Sequence, residues 1–443
     1  MYEQITNKKV FSTAYPVFLT LIAQNIINVT DTAFLGRVSE VALGASAIGG
    51  VFYIAIFVVG FGFSQGAQIL IGRRNGEQNY SHIGPIFNNG LLFNFVLGLL
   101  IFGLSCLFIP RAMPHFVTSE NICRASLEYL DWRIYGFFFS FLNVMFRGLY
   151  VGITKTKVLT VSAIITAGSN IFFDYAMIFG HFGFPAMGIA GAAIASVIAE
   201  GTTFIFLLLY TLFVTDVKRY GLFSFRKIDW KIVRQTLSIS VFIMFQSFFS
   251  ISTWFLFFIF IERLGERPLA VTNIGRSLYI LMMIPGSALA TTVSTLVSNL
   301  IGAGGKSQVM PFVNRMVRIT LISVIPIMLV TFIYPVLFAR IYTADAGLIA
   351  ATVPVLRIIS VAMVCCAVGC IVFSAVSGTG NTRTAFLIET ITLLFYIAYI
   401  YYTAIIHPST PAIVWISEFV YWVIVGLLSY CYLRKGNWQK KEI

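Results

Sequence analysis

Hydrophobic positions in this chain come in long unbroken blocks, and most polar positions fall between them. Twelve blocks are long enough to cross a bilayer core as helices, which takes about 20 residues each. They run near 10–35, 42–71, 86–109, 127–151, 158–180, 188–214, 236–262, 269–301, 316–339, 352–378, 385–406 and 411–433. A membrane β-barrel would show short alternating segments instead. The loops at 36–41 and 263–268 are short, so the blocks they join run antiparallel. The longest polar stretch, Thr215 to Gln235, is expected to be a linker, partly an amphipathic helix seated at the interface by Phe225 and Trp230. The pattern therefore predicts an all-α integral membrane protein of twelve transmembrane helices. Its first lobe would cover 1–214, the linker 215–235, and a second lobe with a basic tail 236–443. Pro16, Pro285, Pro326 and Pro335 fall inside blocks, where each removes a helix hydrogen bond and can bend the helix.

The chain also repeats itself at an offset of 226 residues. Leu43, Ile48, Gly49, Tyr53, Gly60, Leu70 and Gly76 recur as Leu269, Ile274, Gly275, Tyr279, Gly286, Leu296 and Gly302. Further on, Gly152, Thr156 and Lys157 face Gly378, Thr382 and Arg383. Six spans per half give both halves the same orientation, so two pseudo-symmetric lobes around a central cavity are expected. Such repeats mark transporters, whose halves can rock about a shared site. An old duplication without functional consequence is the plainer reading.

Composition agrees with a membrane protein: 58% of the 443 residues are hydrophobic and 11% charged, against roughly 25% charged in soluble chains. A net charge of +13 raises the question of nucleic acid. Its distribution answers it, because with a cytoplasmic N-terminus the basic residues collect on the cytoplasmic side. Among them are Lys8, Arg73, Arg74, Lys155, Lys218, Arg219, Arg226, Lys227, Arg315, Arg318, Arg434 and Lys441. This bias predicts a multi-pass inner-membrane protein with both termini cytoplasmic and the bilayer, not nucleic acid, as partner. The first block is too long for a signal peptide and should remain as a helix. The six cysteines have no zinc-ligand spacing and read as small hydrophobes.

Enzyme motifs are absent. The stretch Gly60 to Gly66 has the wrong glycine spacing for a dinucleotide loop and lies within an apolar block. There is no phosphate-binding loop and no His-Glu-x-x-His, and no cofactor is expected. The surroundings of Asp31 and Asp174 do not match an intramembrane aspartyl protease.

Polar groups inside the blocks carry the functional reading, since an ion at the bilayer centre costs roughly 3 kcal/mol on insertion scales. Asp31, Asp174, Glu200, Glu389 and Glu418 lie there. Gln24, Asn28 and Asp31 share one helix face, Asn170 and Asp174 another, and Ser196 and Glu200 a third. Converging, these faces would form a proton site, or a cation site where enough oxygens gather. Plainer readings are that Asp31 caps its helix or pairs with Arg37, and that Glu200 pairs locally. Glu389 and Glu418 are expected to pair with Arg357 or tyrosines. In the second half Asp31 aligns roughly with Thr253, Asp174 falls near Ile400, and Gln24 finds Gln246. The ionisable work should therefore lie in the first lobe.

Several stretches resemble the multidrug and toxic compound extrusion (MATE) family. They are Val29–Arg37 (VTDTAFLGR) with Ala42–Ala45, Gly72–Glu77 (GRRNGE), Ser169–Asp174 (SNIFFD) and Gly188–Ser196 (GIAGAAIAS). The resemblance covers essentially the whole chain and is closest to the DinF-like branch. It implies that Asp31, Asp174, Asn170 and Ser196 form an ion-coupling site, with sodium possible at Asp31, Asp174 and Asn170. Gln24, Asn28, Glu200 and Gln246 would be polar cavity or substrate positions. Gln246 stands where the NorM-like branch has a glutamate, which puts a second-lobe sodium site in doubt. The expected function is secondary antiport by a monomer, exporting an organic, amphipathic or cationic compound against protons or sodium by alternating access. Protonation would act on the first helix near Pro16. Flipping of a lipid-linked precursor is the alternative.

Overall fold

In lipid a backbone has no hydrogen-bond partner but itself, so each apolar block closes its bonds as a helix. The computed structural model describes residues 5–117, 119–224 and 229–440. The first half contains α1 (Asn7–Val38), α2 (Glu40–Gly76), α3 (Ile83–Phe116), α4 (Glu120–Arg133), α5 (Gly136–Gly152), α6 (Lys157–Phe179) and α7 (Gly188–Phe213). A four-residue turn, α8 (Val217–Tyr220), follows. The second half contains α9 (Trp230–Glu262), α10 (Glu266–Gly302), α11 (Val309–Ile333), α12 (Pro335–Ala339), α13 (Ala346–Gly378), α14 (Thr382–Tyr401), α15 (Pro411–Trp415) and α16 (Ser417–Lys435). Among the described residues there is no strand. Eleven helical stretches are long and apolar enough to span a membrane, and α4 with α5, bent by 54°, makes the twelfth.

The repeat read from the sequence is also a repeat of structure. α2 and α10 each have 37 residues and begin and end 226 positions apart, as do the starts of α3 and α11. The bent pair from Glu120 to Gly152 matches α13, Ala346–Gly378, at both ends. Even a helix crossing recurs. A Cβ on Gly152 would stand 3.2 Å from the Gln68 carbonyl oxygen, and one on Gly378 would collide with the carbonyl oxygen of Ser294. Gln68 and Ser294 are themselves related by the same offset.

The halves differ where α4 ends. There Phe137 N–H bonds to the Ile134 carbonyl and Tyr135 N–H to that of Trp132, so three-residue bonds replace the regular ladder. α13 runs through the matching position unbroken.

Residue contacts divide the chain into Phe11–Met244 and Phe245–Ile443, the segment up to Val10 belonging with the latter. The polar stretch between the halves is strapped to the start of α3. Asn88 Oδ1 accepts from Phe223 N–H at 2.8 Å, and Asn89 Oδ1 from Asp229 N–H at 3.0 Å. Between α7 and α9 the described helix is one turn, and α9 already begins at Trp230, inside the expected linker. Phe225, Arg226 and Lys227 lie outside the described residues, as does Lys441. Pro16, Pro285 and Pro326 fall inside helices. Pro335 does not, contrary to expectation: α11 has ended, and Pro335 opens α12, where its missing N–H would have had no partner anyway.

The close crossing at Gly378 gives a test. Gly378→Ala should lower stability by about 1–3 kcal/mol, because the methyl group meets backbone that cannot step aside. Gly103→Ala, with nothing within 4 Å, should be neutral or slightly stabilising. Thermal unfolding of detergent-purified protein compares the two, and equal melting temperatures would contradict the packing argument.

Candidate functional site

Three helices of the first half bring their polar faces together. Asn170 and Asp174, one turn apart on α6, are buried, and α7 presents the buried Ser196. Small residues allow this approach: a Cβ on Gly191 would lie 2.7 Å from the Met177 carbonyl. Hydroxyl pairs hold the two helices in register, Thr166 to Thr203 at 2.6 Å and Thr202 to Ser169 at 3.2 Å. From α1, the half-buried Asp31 comes in beside Asp174, both carboxyls within reach of the Asn170 amide. Ionised carboxylates only accept, so any direct bond between the two would need a proton. With its amide oriented to suit its neighbours, the Asn170 nitrogen donates to Asp31 Oδ1 at 3.0 Å and to Asp174 Oδ2 at 3.3 Å. The other end of that amide faces Ser196 Oγ at 3.4 Å. Among the described residues no donor reaches Asp174 Oδ1.

The same α1 is loosened nearer its start. Pro16 has no N–H for the Ser12 carbonyl, and Thr156 on the approach to α6 supplies the missing donor, at 3.1 Å from the carbonyl oxygens of both Ser12 and Thr13. Thr20 Oγ1 lies 2.9 Å from the Pro16 carbonyl and 3.4 Å from that of Leu159.

A second cluster stands beside the first. Arg133, at the break between α4 and α5, grips Glu200 of α7 with two nitrogens, at 2.7 and 3.1 Å. Its guanidinium lies 3.6 Å over the Tyr53 ring, while Tyr53 Oη sits 3.1 Å from both Glu200 oxygens and 3.0 Å from Ser140. Gly136 leaves the room: any Cβ there would strike both partners of the ion pair. Arg133 is also within electrostatic reach of Asp31 and of Tyr129.

The other unit repeats the tyrosine–acid contact without the arginine. Tyr279, the counterpart of Tyr53, donates to Glu418 at 2.5 Å, with Trp422 at 3.2 Å and Tyr396 at 3.4 Å. Glu389 accepts from Ser250 and, at 2.8 Å, from Tyr421. The tyrosines are the partners, and Arg357 is not.

The sequence positions thus separate. Asp31, Asn170, Asp174 and Ser196 come together. Glu200 is taken up by Arg133 and Tyr53. Gln24 and Asn28 are exposed on α1, and their side chains hydrogen-bond to no described residue. Gln246 is half-buried on α9, its Oε1 without a partner. Arg37 is not the partner of Asp31. Sequence reasoning passed over Arg133, although an arginine inside a span requires a counter-ion, and that was the available signal.

A family model described as MatE matches residues 16–176 and, 226 positions later, 242–402. The chain belongs to the MATE family. MATE proteins are membrane transporters, not enzymes. The chain is 23% identical over 98% of its length to a probable multidrug resistance protein NorM of Thermotoga maritima, covering 94% of that protein. It is 24% identical to a protein of the same name from Shewanella oneidensis over 86% of this chain and 83% of that one. Its fold matches a multidrug resistance MATE transporter of the MOP superfamily in an outward-facing conformation (TM-score 0.89, 17% identity, 98% of this chain and 97% of that one). It also matches a MOP superfamily transporter from Pyrococcus furiosus (TM-score 0.88, 18% identity, the same coverages).

In this MATE chain, removing one member of the ion pair leaves the other charged in a poorly hydrated place. Arg133→Met should cost about 3 kcal/mol. The double variant Arg133→Met/Glu200→Met should lose less than the sum of the single losses. Melting temperatures of the three variants decide it, and strictly additive losses would mean the two side chains act independently.

Proposed function

We propose that this MATE protein is a proton-coupled antiporter, exporting an organic compound by alternating access, with Asp31 and Asp174 as the coupling pair. One observation carries the reading: two carboxyl groups from different helices, both within hydrogen-bonding distance of the one Asn170 amide. Like charges this close cannot both ionise cheaply away from water, so the pair takes up and releases protons as a unit. Ser196 fixes the amide from behind.

The proton acts through α1, which bears Asp31 and is weakened at Pro16. The multidrug names of the relatives favour an amphipathic or cationic organic substrate. The site residues are those of the DinF-like branch. The clustering of basic residues supports cytoplasmic termini and an inner-membrane location.

Asp31→Asn keeps the shape of the side chain and removes its titration. In proteoliposomes with an imposed pH gradient, the wild type should export an organic cation such as ethidium. The variant should lose coupled export while keeping its melting temperature. Full transport by the variant would end the proposal, and export driven by a sodium gradient alone would replace the proton by sodium.

A further inference from the structure

Away from the acids, three arginines converge on one groove of the Phe245–Ile443 unit. Arg315 and Arg318 from α11 and Arg434 from α16 line it, with Pro311, Asn314 and Tyr430. Its volume is about 580 Å³, within the range of small-molecule sites. Both helices pack on α13, and the groove lies between them. The Arg315 guanidinium donates to the Ile5 carbonyl and keeps a buried Nε–H without an acceptor. Arg434 lies over the Tyr430 ring at 5.6 Å. Among the described residues, none of the three meets a carboxylate. Three guanidinium groups sharing one concavity repel one another until an anion joins them, and their planar forks match phosphate oxygens.

What continues the groove identifies the anion. On α11, positions 311, 315, 318, 322, 325 and 329 follow one face. Beyond Arg318 that face is apolar and open: Ile322 is 73% exposed and Leu329 46%. On α16 the face through Arg434 and Tyr430 leads back to Leu427, 61% exposed, and Val423. Arg318 precedes its apolar stripe in sequence and Arg434 follows its own, so in these antiparallel helices both stripes leave the groove in the same direction. A charged head with two hydrocarbon chains has this shape. A free phosphate or small acid would use only the head.

We propose that this groove binds an anionic phospholipid of the leaflet on the side of the chain's termini, its phosphate held by Arg315, Arg318 and Arg434. The chains lie along Ile322 and Leu427. The site is independent of the Asp31–Asp174 pair and of what the protein transports.

The test is native mass spectrometry of the full-length protein in detergent, titrated with phosphatidylglycerol, phosphatidylethanolamine or inorganic phosphate. Phosphatidylglycerol should be retained in preference to phosphatidylethanolamine. Arg318→Gln touches no partner and leaves folding alone, and it should weaken retention about fivefold. The triple variant with Arg315→Gln and Arg434→Gln should weaken it further, and Arg340→Gln, outside the groove, should change nothing. Equal retention of the two lipids would overturn the proposal, as would unchanged retention in Arg318→Gln. Displacement of phosphatidylglycerol by millimolar phosphate would also overturn it, leaving an anion site without lipid character.

Discussion

The contact between Asp31 and Asp174 is the constraint on which the described chemistry turns. It joins α1 to α6 through groups that hydrocarbon would not tolerate singly, and in the proposed mechanism a shared proton relieves their repulsion. Asn170 and Ser196 serve that contact. Ser196 orients the amide, and the amide meets both carboxyls, so a side chain on α7 fixes how α1 meets α6. The small residues of α7 and its hydroxyl ladder with α6 matter because they hold that geometry steady.

Duplication gave each half one scaffold, and the departures from it are where the chemistry sits. Tyr53 and Tyr279 are related by the repeat, and each donates to a glutamate of its own half's last span. Only in the first half does an arginine join them. The position 226 residues beyond Arg133 is Ile359, in a helix that does not break. The break at Ile134 and Tyr135 and the ion pair are two aspects of one arrangement. Interrupting the ladder lets Arg133 turn toward Glu200, and Gly136 clears the space. The acids of the other half are answered by neutral hydroxyl and indole donors, which hold a carboxyl in place without adding charge.

Much of the fold was legible because membrane burial imposes long apolar blocks, and an ungapped offset implies equal helix lengths. α2 and α10 agree to the residue for that reason. The convergence of Asp31, Asn170, Asp174 and Ser196 was legible in part. Spacing tells which residues share a helix face, and polarity tells that the face avoids lipid. Spacing does not tell what the face meets. Gln24 and Asn28 share the face of Asp31, but their side chains hydrogen-bond to nothing in the described chain. The Arg133–Glu200 pair spans 67 positions, and no local pattern joins residues that far apart. Pro335 was misplaced because α11 and α12 are both apolar, and hydropathy does not register a short gap between two greasy helices.

Under the proposed coupling, Pro16 is where a proton on one carboxyl would act on the rest of α1. Near its start the helix is fixed by Thr156, which takes the Ser12 carbonyl that proline left without a donor. At Asp31 it is fixed by the carboxyl contact. Between these two points the ladder is incomplete at Pro16, and a cavity of about 560 Å³ adjoins the proline, bordered by Tyr15, Lys157 and Val161. A helix held at both ends and weak between them responds to a change at one end by bending at the weak point, since every other turn would have to break an intact bond. The Thr20 hydroxyl can donate either to the Pro16 carbonyl within α1 or to the Leu159 carbonyl of α6, both being in range. Loss of the shared proton would set two negative charges against each other across the α1–α6 contact, and α1 is the partner with freedom to move.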